Sequence, residues 1–513
     1  MATGAGLALA GGLRGPQVWA APGVLGPGSR PDPSKPEGTD MLPEIEHIII
    51  YMQENHSYDS YLGMLDVGDG FTLDGGGAPT NSNPNPGDGG NPFKVFKAGE
   101  TCQTGPGVSQ SWNATHLQYN GGAMDGFIEP GRTASMKYWD GSQLPFYYDL
   151  ARTFPLCDRW FASTPCQTYP NRRYLQAATS VGLVATDPQA VLAHPDAPNG
   201  TIWDRLNDHG ITWHDYAFDL PDILLFPNVQ AANKDKIRTI PQFLADCASG
   251  NLPQVSIVSP GFQAYTEENP HDVQLGEAYS ARMINAVMQS PAWEKTMMIF
   301  TYDEHGGYYD HVAPPPAVAP DSIKPDIDVP PDQPGGFDMY GFRVPGFVIS
   351  PFAKANHVSS TVYDHTSVLK TIETKFNLGA MTFRDANANS LLDTLDLTTM
   401  AFGDPPTLAE PGLPASGSTC EPGVPDPKTI KAATDETTTT TTLPGGTTST
   451  TPGAGTGTAP GATPVPGELA LTGRPDLTIP TIAGVSAVAA GFAVLAARAR
   501  LLESTADEDR PIG

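Results

Sequence analysis

The chain has 513 residues, and 39% of them are hydrophobic, which is enough for a large core. Its formal net charge of -27 argues against a nucleic-acid partner, because binding to a phosphate backbone requires a basic surface. None of its five cysteines belongs to a CxxC pair, which argues against a zinc knuckle. Some of them could form disulfides in an exported protein, and the sequence leaves the pairing open.

The two ends of the chain differ in composition from its middle. Residues 1–40 resemble the end of a secretory signal peptide followed by a short linker, although no basic region precedes the apolar stretch. Residues 403–467 are rich in Pro, Gly and Thr and predict a disordered, stalk-like linker.

The last segment, residues 468–513, contains LALTG and then a mainly apolar stretch, Ile479–Ala497. This stretch is just long enough to cross a bilayer as a helix. The combination resembles LAxTG-type sorting signals, which sortases process, and a plain membrane anchor is the alternative. We therefore expect an exported protein that is attached to the cell wall or membrane on the extracellular face.

Residues 41–402 predict one α/β domain with a mostly parallel sheet. Short buried strands alternate with helices, and predicted strands include Ile45–Met52, Pro253–Ser259 and the apolar residues from Met298 to Tyr302. Polar side chains follow each of these strands. Ligands of open α/β sheets bind beyond the carboxyl ends of the strands, so we expect these polar clusters to lie along one ligand-binding edge.

Two of these strand ends carry oxygen ligands. Glu54 and Asn55 follow the first predicted strand, and Asp303 and Glu304 follow the strand that ends at Tyr302. Carboxylate and amide oxygens suit a hard or borderline divalent cation. Taken alone, either cluster has a plainer interpretation, a polar strand end followed by a solvated turn.

Thr168 lies just before a predicted helix, Arg172–Thr179. Free backbone N–H groups at a helix N-terminus can bind phosphate, whereas an N-capping threonine would be purely structural. A threonine hydroxyl bound to a metal loses its proton more readily and becomes a nucleophile. Ser163, Thr164 and Thr179 are alternative hydroxyls in the same region.

Several histidines lie in polar segments. His116 falls in residues 111–128, which we expect to be a structured loop, and His116, His271 and His365 could bind phosphate oxygens or protonate a leaving group. His365 could equally hold the start of a helix in place. We interpret His56 as positional, and no clear role follows for His305 or His311.

Together, these segments resemble the bacterial phosphoesterase family that contains phospholipases C and related acid phosphatases, within the alkaline-phosphatase-like superfamily. The resemblance spans roughly residues 41–380. The matching motifs are ENHSYDSYLG (54–63), HLQYNGGAMDGF (116–127), QTYPNRRYL (167–175), TYDEHGGYYDHV (301–312), RVPGFVISPF (343–352) and YDHTSVLKTIE (363–373). One departure is CQTYPNRR, where phospholipases of the family more often have small residues and Gly-Pro before the hydroxyl.

The resemblance implies a three-layer α/β/α core, alkaline-phosphatase-like, that binds one divalent metal ion. Thr168 would be both a metal ligand and the nucleophile, forming a phosphothreonine intermediate. The other implied ligands are Glu54, Asn55, Asp303 and Glu304. The residues implied to stabilise the transferring phosphoryl group are His116, Asn171 and His271.

We therefore expect a metal-dependent hydrolase of phosphoric esters, with either a phospholipid headgroup or a small phosphomonoester as substrate. The acidic surface and the lack of a basic amphipathic helix favour a monoester or a zwitterionic phosphatidylcholine-type substrate. A non-catalytic surface adhesin is the alternative from another class, because the Thr/Pro stalk would also suit it. A sulfatase-like hydrolase would need a C/S-x-P-x-R motif, which Cys166–Pro170 does not match.

Overall fold

A computed structural model of the protein describes residues 23–104, 107–128 and 132–434. Its strands are β1 (His47–Gln53), β2 (Ser82–Asn85), β3 (Asn91–Lys94), β4 (Phe96–Lys97), β5 (Lys137–Tyr138), β6 (Leu156–Cys157), β7 (Trp213–Ala217), β8 (Ile237–Thr239), β9 (Val255–Ser259), β10 (Thr296–Tyr302), β11 (Gly346–Ile349) and β12 (Val358–Ser359). Its helices are α1 (Tyr58–Leu62), α2 (Trp112–Tyr119), α3 (Pro145–Thr153), α4 (Thr168–Ala177), α5 (Pro188–Ala193), α6 (Ile202–Asp208), α7 (Pro227–Ala232), α8 (Ile240–Ser249), α9 (Val273–Met288), α10 (His365–Phe376) and α11 (Phe383–Ala386).

Eight strands form one sheet in the order β12-β6-β11-β10-β1-β9-β7-β8. All pairings in this sheet are parallel except those that β11 makes with β6 and β10. The central strand β1 carries Ile48, Ile49 and Ile50, which are all buried, as expected for a parallel strand covered on both faces. The predicted α/β domain with a mostly parallel sheet is confirmed.

Helices cover both faces of this sheet. Trp213 and Tyr216 lie three positions apart on β7, so their side chains point to opposite faces. Trp213 stacks on Trp203 of α6, with ring centroids 4.6 Å apart, whereas Tyr216 packs against Phe243 of α8 at 5.1 Å. Because α6 and α8 lie on opposite faces, the core has three layers.

Residues 111–128 differ from the expected loop, because they contain helix α2. The side chain of Ser111 caps this helix by accepting a hydrogen bond from the N–H of Ala114 at 3.3 Å. The buried face of α2 consists of Trp112, Thr115 and Gln118. Two of these three residues are polar, so no hydrophobic period marks the helix in the sequence.

Residues 403–434 lie against the α/β domain, although they contain little regular structure. The N–H of Gly412 donates to Glu277 on α9 at 2.8 Å, and a disulfide joins Cys102 to Cys420. The packed part of the chain therefore extends to residue 434, beyond the boundary at 402 that composition predicts. A covalent bond and side-chain acceptors hold this Pro- and Gly-rich segment. The remaining cysteines are buried free thiols: Cys157, Cys166 and Cys247.

Residues 23–40, which composition assigns to a leader and linker, also pack on the domain. The side chain of Asn377, directly after α10, donates to the carbonyls of Asp32, Lys35 and Pro36 at 2.9–3.2 Å. The start of the predicted leader, most of the predicted stalk, and the LAxTG-like signal with its apolar stretch lie outside the described residues. Among the helices that are described, none is long and apolar enough to span a membrane.

Candidate active site

The ends of β1 and β10 form the floor of the candidate site. The two strands pair in parallel, with Gln53 opposite Tyr302, and the N–H of Asp303 donates to the carbonyl of Gln53 at 3.2 Å. Residues that follow these strands therefore leave the sheet side by side. The side chains placed there are all buried: Glu54, Asn55, Asp303 and Glu304. The predicted polar clusters do meet at one edge of the sheet.

Burial makes the carboxyl groups of Asp303 and Glu304 hard to ionise. It raises the pKa of Asp303 to about 6, although the nearby guanidinium of Arg172 opposes the rise. Burial and the adjacent Asp303 carboxylate raise the pKa of Glu304 well above its ordinary range. Arg172 alone does not balance the negative charge of these buried carboxylates. Their remaining charge is neutralised either by protons or by a bound cation.

Several atoms at the two strand ends have unused hydrogen-bonding capacity. Oδ1 and Nδ2 of Asn55 and Oε1 of Glu304 are buried and have no hydrogen-bond partner among the described residues. Each such atom costs about 1–3 kcal/mol when it is left unpaired. Oxygen donors of this kind match the ligand preference of a hard divalent cation, which would use Asn55 Oδ1 and Glu304 Oε1. The donor set therefore fits a divalent metal ion.

A second group of ligand-type residues, Asp59, Asp310 and His311, already has a cation. Arg343 places Nη2 2.9 Å from Asp59 Oδ1 and Nε 2.9 Å from Asp310 Oδ1. His311 places Nδ1 2.7 Å from the other oxygen of Asp59. These contacts make the group a buried ion-pair network, so His311 belongs to this network.

Arg172 is a site residue that the sequence analysis missed. Its Nε is 3.1 Å from Asp303 Oδ2, its Nη2 is 3.6 Å from Glu54 Oε1, and its Nη1 is 2.8 Å from Asp222 Oδ1. Asp222 follows β7, so one buried guanidinium joins the ends of three strands. The signal in the sequence was its position four residues after Thr168, which places both side chains on one helix face.

Thr168 is the first residue of α4 and is only 5% exposed. Gln167 occupies the N-cap position, so helix α4 starts four residues earlier than predicted and Thr168 is not its N-cap residue. Arg172 lies on the same face of α4 and contacts Asp303 and Glu54. These contacts place the first turn of α4 against the ends of β1 and β10.

Asn171 shapes the turn that leads into Thr168. Its Oδ1 accepts from the N–H of Thr164 at 3.0 Å, and its Nδ2 donates to the carbonyls of Cys166 and Gln167 at 2.9 and 3.1 Å. The amide is therefore used to hold the backbone of residues 164–167. The predicted contact between Asn171 and a phosphoryl group stays a prediction.

His116 lies on α2, and its Nδ1 donates to the carbonyl of Trp112 at 2.7 Å. Its ring also packs on Trp112, with centroids 4.2 Å apart, and burial lowers the pKa of His116. Nε2 is therefore the acceptor nitrogen of the neutral ring. Gln118, two residues later, connects α2 to the end of β10 through a 2.9 Å hydrogen bond with His305 Nε2.

His271 belongs to the loop that follows β9. In this loop, the hydroxyl of Thr266 donates to Glu54 Oε2 at 3.1 Å, which brings the loop to the end of β1. The Nδ1 of His271 lies 2.8 Å from Oε1 of Glu421. Neither Thr266 nor Glu421 is predicted from the sequence, because neither lies in a motif that predicts a site.

His365 and His56 have identifiable positions. Nε2 of His365 donates to the carbonyl of Asp303 at 2.7 Å, and burial lowers the pKa of His365 to about 4. As the first residue of α10, this neutral ring connects the helix start to the backbone of the Asp303 segment. His56 is stacked between Tyr61 and Tyr308, with ring centroids 4.1 and 4.5 Å away, consistent with its positional interpretation.

Comparisons with known proteins point to one family. A family model described as the Phosphoesterase family matches residues 45–379. Phospholipase C B of Mycobacterium tuberculosis is 31% identical over 429 residues, covering 72% of this chain and 80% of that protein. Non-specific phospholipase C6 of Arabidopsis thaliana is 31% identical over 403 residues, covering 71% and 75% of the two chains.

Among solved structures, a protein in the alkaline phosphatase superfamily from Vibrio parahaemolyticus is 12% identical. The alignment covers 62% of this chain and 73% of that chain, with a TM-score of 0.32. The fold assignment rests on the sheet order and the helix layers.

Replacing Arg172 with Met is expected to lower the free energy of unfolding by about 3–5 kcal/mol, because it leaves buried carboxylates without their cation. Urea denaturation measures this loss. Arg152→Met is the matched control, since Arg152 pairs with Asp66 at the surface, where the two side chains are 46% and 70% exposed. The control should lose no more than about 1 kcal/mol. Equal losses in the two variants would contradict the role of Arg172.

The ion pair of His311 with Asp59 is expected to make stability depend on pH. Burial alone would lower the pKa of His311, but the hydrogen bond and charge of Asp59 raise it above 6.5. The folded protein then binds this proton more tightly than the unfolded chain does. The stabilisation is present below pH 6.5 and is lost as the pH rises through the folded pKa.

We therefore expect His311→Asn to lower the free energy of unfolding more at about pH 6 than at about pH 9, measured by urea denaturation. The same substitution in an Asp59→Asn background is the control and should remove this difference. A loss that is equal at both pH values would show that the pair does not control the proton.

Proposed function

Because this chain belongs to the phosphoesterase family and is a phosphoric ester hydrolase, we propose that it works with a divalent metal ion and with Thr168 as its nucleophile. The main support for the proposal is that the acidic residues after β1 and β10 lie against the first turn of α4. Glu54 and Asp303 contact the same arginine, Arg172, which shares a helix face with Thr168.

The metal would be held by the side chains at the ends of β1 and β10: Glu54, Asn55, Asp303 and Glu304, with Thr168 as a further ligand. When bound, the ion would supply positive charge that offsets the phosphate oxygens and favours the ionised form of a hydroxyl. The unpaired buried atoms of Asn55 and Glu304 support this assignment.

In the proposed reaction, the ionised Oγ1 of Thr168 attacks phosphorus while the bond from phosphorus to the alcohol oxygen breaks. The leaving alkoxide takes a proton from the charged ring of His271, and the phosphoryl group stays on Thr168 as a phosphothreonine ester. Water then attacks phosphorus and gives one proton to the neutral ring of His271, while the bond from phosphorus to Oγ1 breaks and releases the product and the ionised Oγ1 of Thr168. This sequence splits one displacement into two steps.

Two further residues support the phosphoryl group in this proposal. Nε2 of His116 is available because Nδ1 is used by the carbonyl of Trp112. Burial favours the neutral ring, but the negative charge of a bound phosphate would favour the protonated ring, whose Nε2–H would donate to a phosphate oxygen. Asn171 acts by holding the turn before Thr168, as its hydrogen bonds to Thr164 and Cys166 indicate. We assign Arg172 a charge-balancing role between Glu54 and Asp303.

For the substrate, we propose a phosphodiester of the phospholipid headgroup type. The relatives named above are phospholipases C, and each is matched over most of its length. A formal net charge of -27 disfavours anionic lipids and favours a zwitterionic headgroup such as phosphorylcholine. A phosphomonoester is the second candidate, because the same nucleophile would accept it.

For the location, we propose an exported protein that is anchored on the extracellular face and processed by a sortase. The Cys102–Cys420 disulfide supports export, because structural disulfides persist in oxidising compartments. The LALTG motif and the apolar stretch 479–497 support the anchor.

Thr168→Ala is expected to lower kcat by at least about 10³-fold on p-nitrophenyl phosphorylcholine, because it removes the nucleophile. Acid-quenched peptide mass spectrometry of the wild type during turnover of this substrate should find one phosphorylcholine group on Thr168. Thr179→Ala is the control, since the hydroxyl of Thr179 is bound to Asp321 at 2.7 Å. Full activity of Thr168→Ala would refute the proposed nucleophile, and a parallel assay on p-nitrophenyl phosphate separates the two substrate classes.

Glu304→Gln is expected to weaken divalent-metal binding by at least about 10-fold. Substitution of residues that only support the ligands of a metal lowers its affinity by about 10–100-fold, and Glu304 is proposed as a direct ligand. Metal content after dialysis, and the rise in Tm when metal is returned to the chelated protein, measure this without substrate. Glu294→Gln, at an exposed position just before β10, is the matched control. Equal metal content in the two variants would refute the ligand assignment, and chelation should abolish wild-type turnover.

A further inference from the structure

The segment after the family-matched region delivers one carboxylate, Glu421, to His271 in the loop that follows β9. Oε1 of Glu421 is 2.8 Å from Nδ1 of His271, and Oε2 accepts the N–H of Asp272 at 2.9 Å. The two side chains are 16% and 11% exposed, so water screens the contact only weakly. Glu421 lies beyond residues 45–379, the part of the chain that the family model matches.

A disulfide anchors this carboxylate. Cys420, next to Glu421, is bonded to Cys102 through the disulfide. The backbone of Cys102 pairs with that of Asp272 in an isolated antiparallel β-bridge. The hydroxyl of Ser418 donates to Asp272 Oδ2 at 2.7 Å. The covalent bond and these contacts place Glu421 directly over the turn that carries His271.

The contact defines which nitrogen of His271 holds a proton. A carboxylate can only accept, so the neutral ring must carry its proton on Nδ1. Nε2 then has the free lone pair, or in the charged ring the transferable proton. The backbone of His271 is held as well, because its N–H donates to the carbonyl of Glu268 at 2.9 Å.

We propose that Glu421 is a positioning residue for His271, which orients the ring and keeps its proton on Nδ1, and that the Cys102–Cys420 disulfide holds Glu421 in place. This inference rests on the proposed function, in which His271 exchanges protons with the leaving alcohol and with water. A carboxylate that stabilises the charged ring lowers the barrier of the step in which His271 takes a proton.

The first test compares Glu421→Gln with Glu421→Asp in the full chain, on p-nitrophenyl phosphorylcholine. Glutamine has one acceptor oxygen for the two N–H groups that Glu421 binds, so we expect kcat to fall by about 10–100-fold with KM within about 3-fold. Aspartate should restore part of kcat. The matched control is Glu410→Gln, because Glu410 forms an exposed ion pair with Lys428 in the same segment. Wild-type kcat in Glu421→Gln would overturn the proposal.

A spectroscopic readout separates positioning from folding. Long-range ¹⁵N–¹H correlation spectra of histidine-labelled protein report which ring nitrogen carries the proton, and His271→Asn identifies the signal. The wild type should show a proton on Nδ1 of the neutral ring, and Glu421→Ala should shift the population towards Nε2. An unchanged tautomer in Glu421→Ala would overturn the proposal whatever its activity.

The anchor is tested by reduction with dithiothreitol. Two electrons from the reagent convert Cys102–Cys420 into two thiols while the reagent forms its own cyclic disulfide. We expect kcat to fall as in Glu421→Gln, and a Cys102→Ser/Cys420→Ser variant should have the lowered kcat without further response to reductant. Wild-type kcat after two new thiols have been titrated would overturn the anchoring role.

These outcomes are distinguishable from failure of the proposed function. If Thr168→Ala retained full turnover, the nucleophile assignment would fail regardless of Glu421. If Thr168→Ala lost turnover while Glu421→Gln kept it, the phosphoesterase mechanism would stand and only the positioning role would be refuted.

Discussion

The parallel pairing of β1 with β10 is the constraint on which the candidate site depends. Gln53 lies opposite Tyr302, so the next residues of both strands emerge together at one edge of the sheet. Glu54 and Asn55 come from one strand, and Asp303 and Glu304 come from the other. A shift of one residue in this register would turn one of the two pairs towards the opposite face. The buried isoleucines of β1 oppose such a shift, since both faces of the strand are covered.

This arrangement concentrates negative charge where little water can screen it. Arg172 neutralises part of this negative charge, because its guanidinium contacts Glu54, Asp222 and Asp303 at once. Burial still raises the pKa of Asp303 and the pKa of Glu304, so this one guanidinium offsets only part of the cost of ionising the two carboxyl groups. A divalent cation would complete the balance, and it would also pair the buried atoms of Asn55 and Glu304. The same electrostatic imbalance makes the ends of β1 and β10 a suitable place for a divalent cation.

The segment that follows the α/β domain also contacts a loop near the candidate site. Residues 403–434 run along the domain and return to the loop after β9, where Cys420 is bonded to Cys102. This segment has no helical or strand period, so its contacts depend on a covalent bond and on individual side chains such as Glu277 and Glu421. Through Glu421, a part of the chain outside the family-matched region contacts His271, which lies inside that region.

The sequence by itself determined the α/β class, the main strands and the ligand-type residues at their ends. Hydrophobic runs of strand length and the residues directly after them are local features, so Glu54, Asn55, Asp303 and Glu304 could be found without coordinates. The motif set also identified the family. Helix α2 escaped prediction, because its buried face includes Thr115 and Gln118 and therefore shows no hydrophobic period.

Only the tertiary structure decided which distant residues meet. Arg172 and Asp222 are 50 positions apart, and Glu421 is 150 positions from His271. No local pattern marks such pairs. The first contact depends on the order of the strands in the sheet, and the second depends on which two of the five cysteines form the disulfide. The structure likewise showed that Asn171 binds the backbone before Thr168 and that Asp59, Asp310 and His311 share a buried arginine. Side-chain partners across the fold depend on packing, which the linear order of residues does not express.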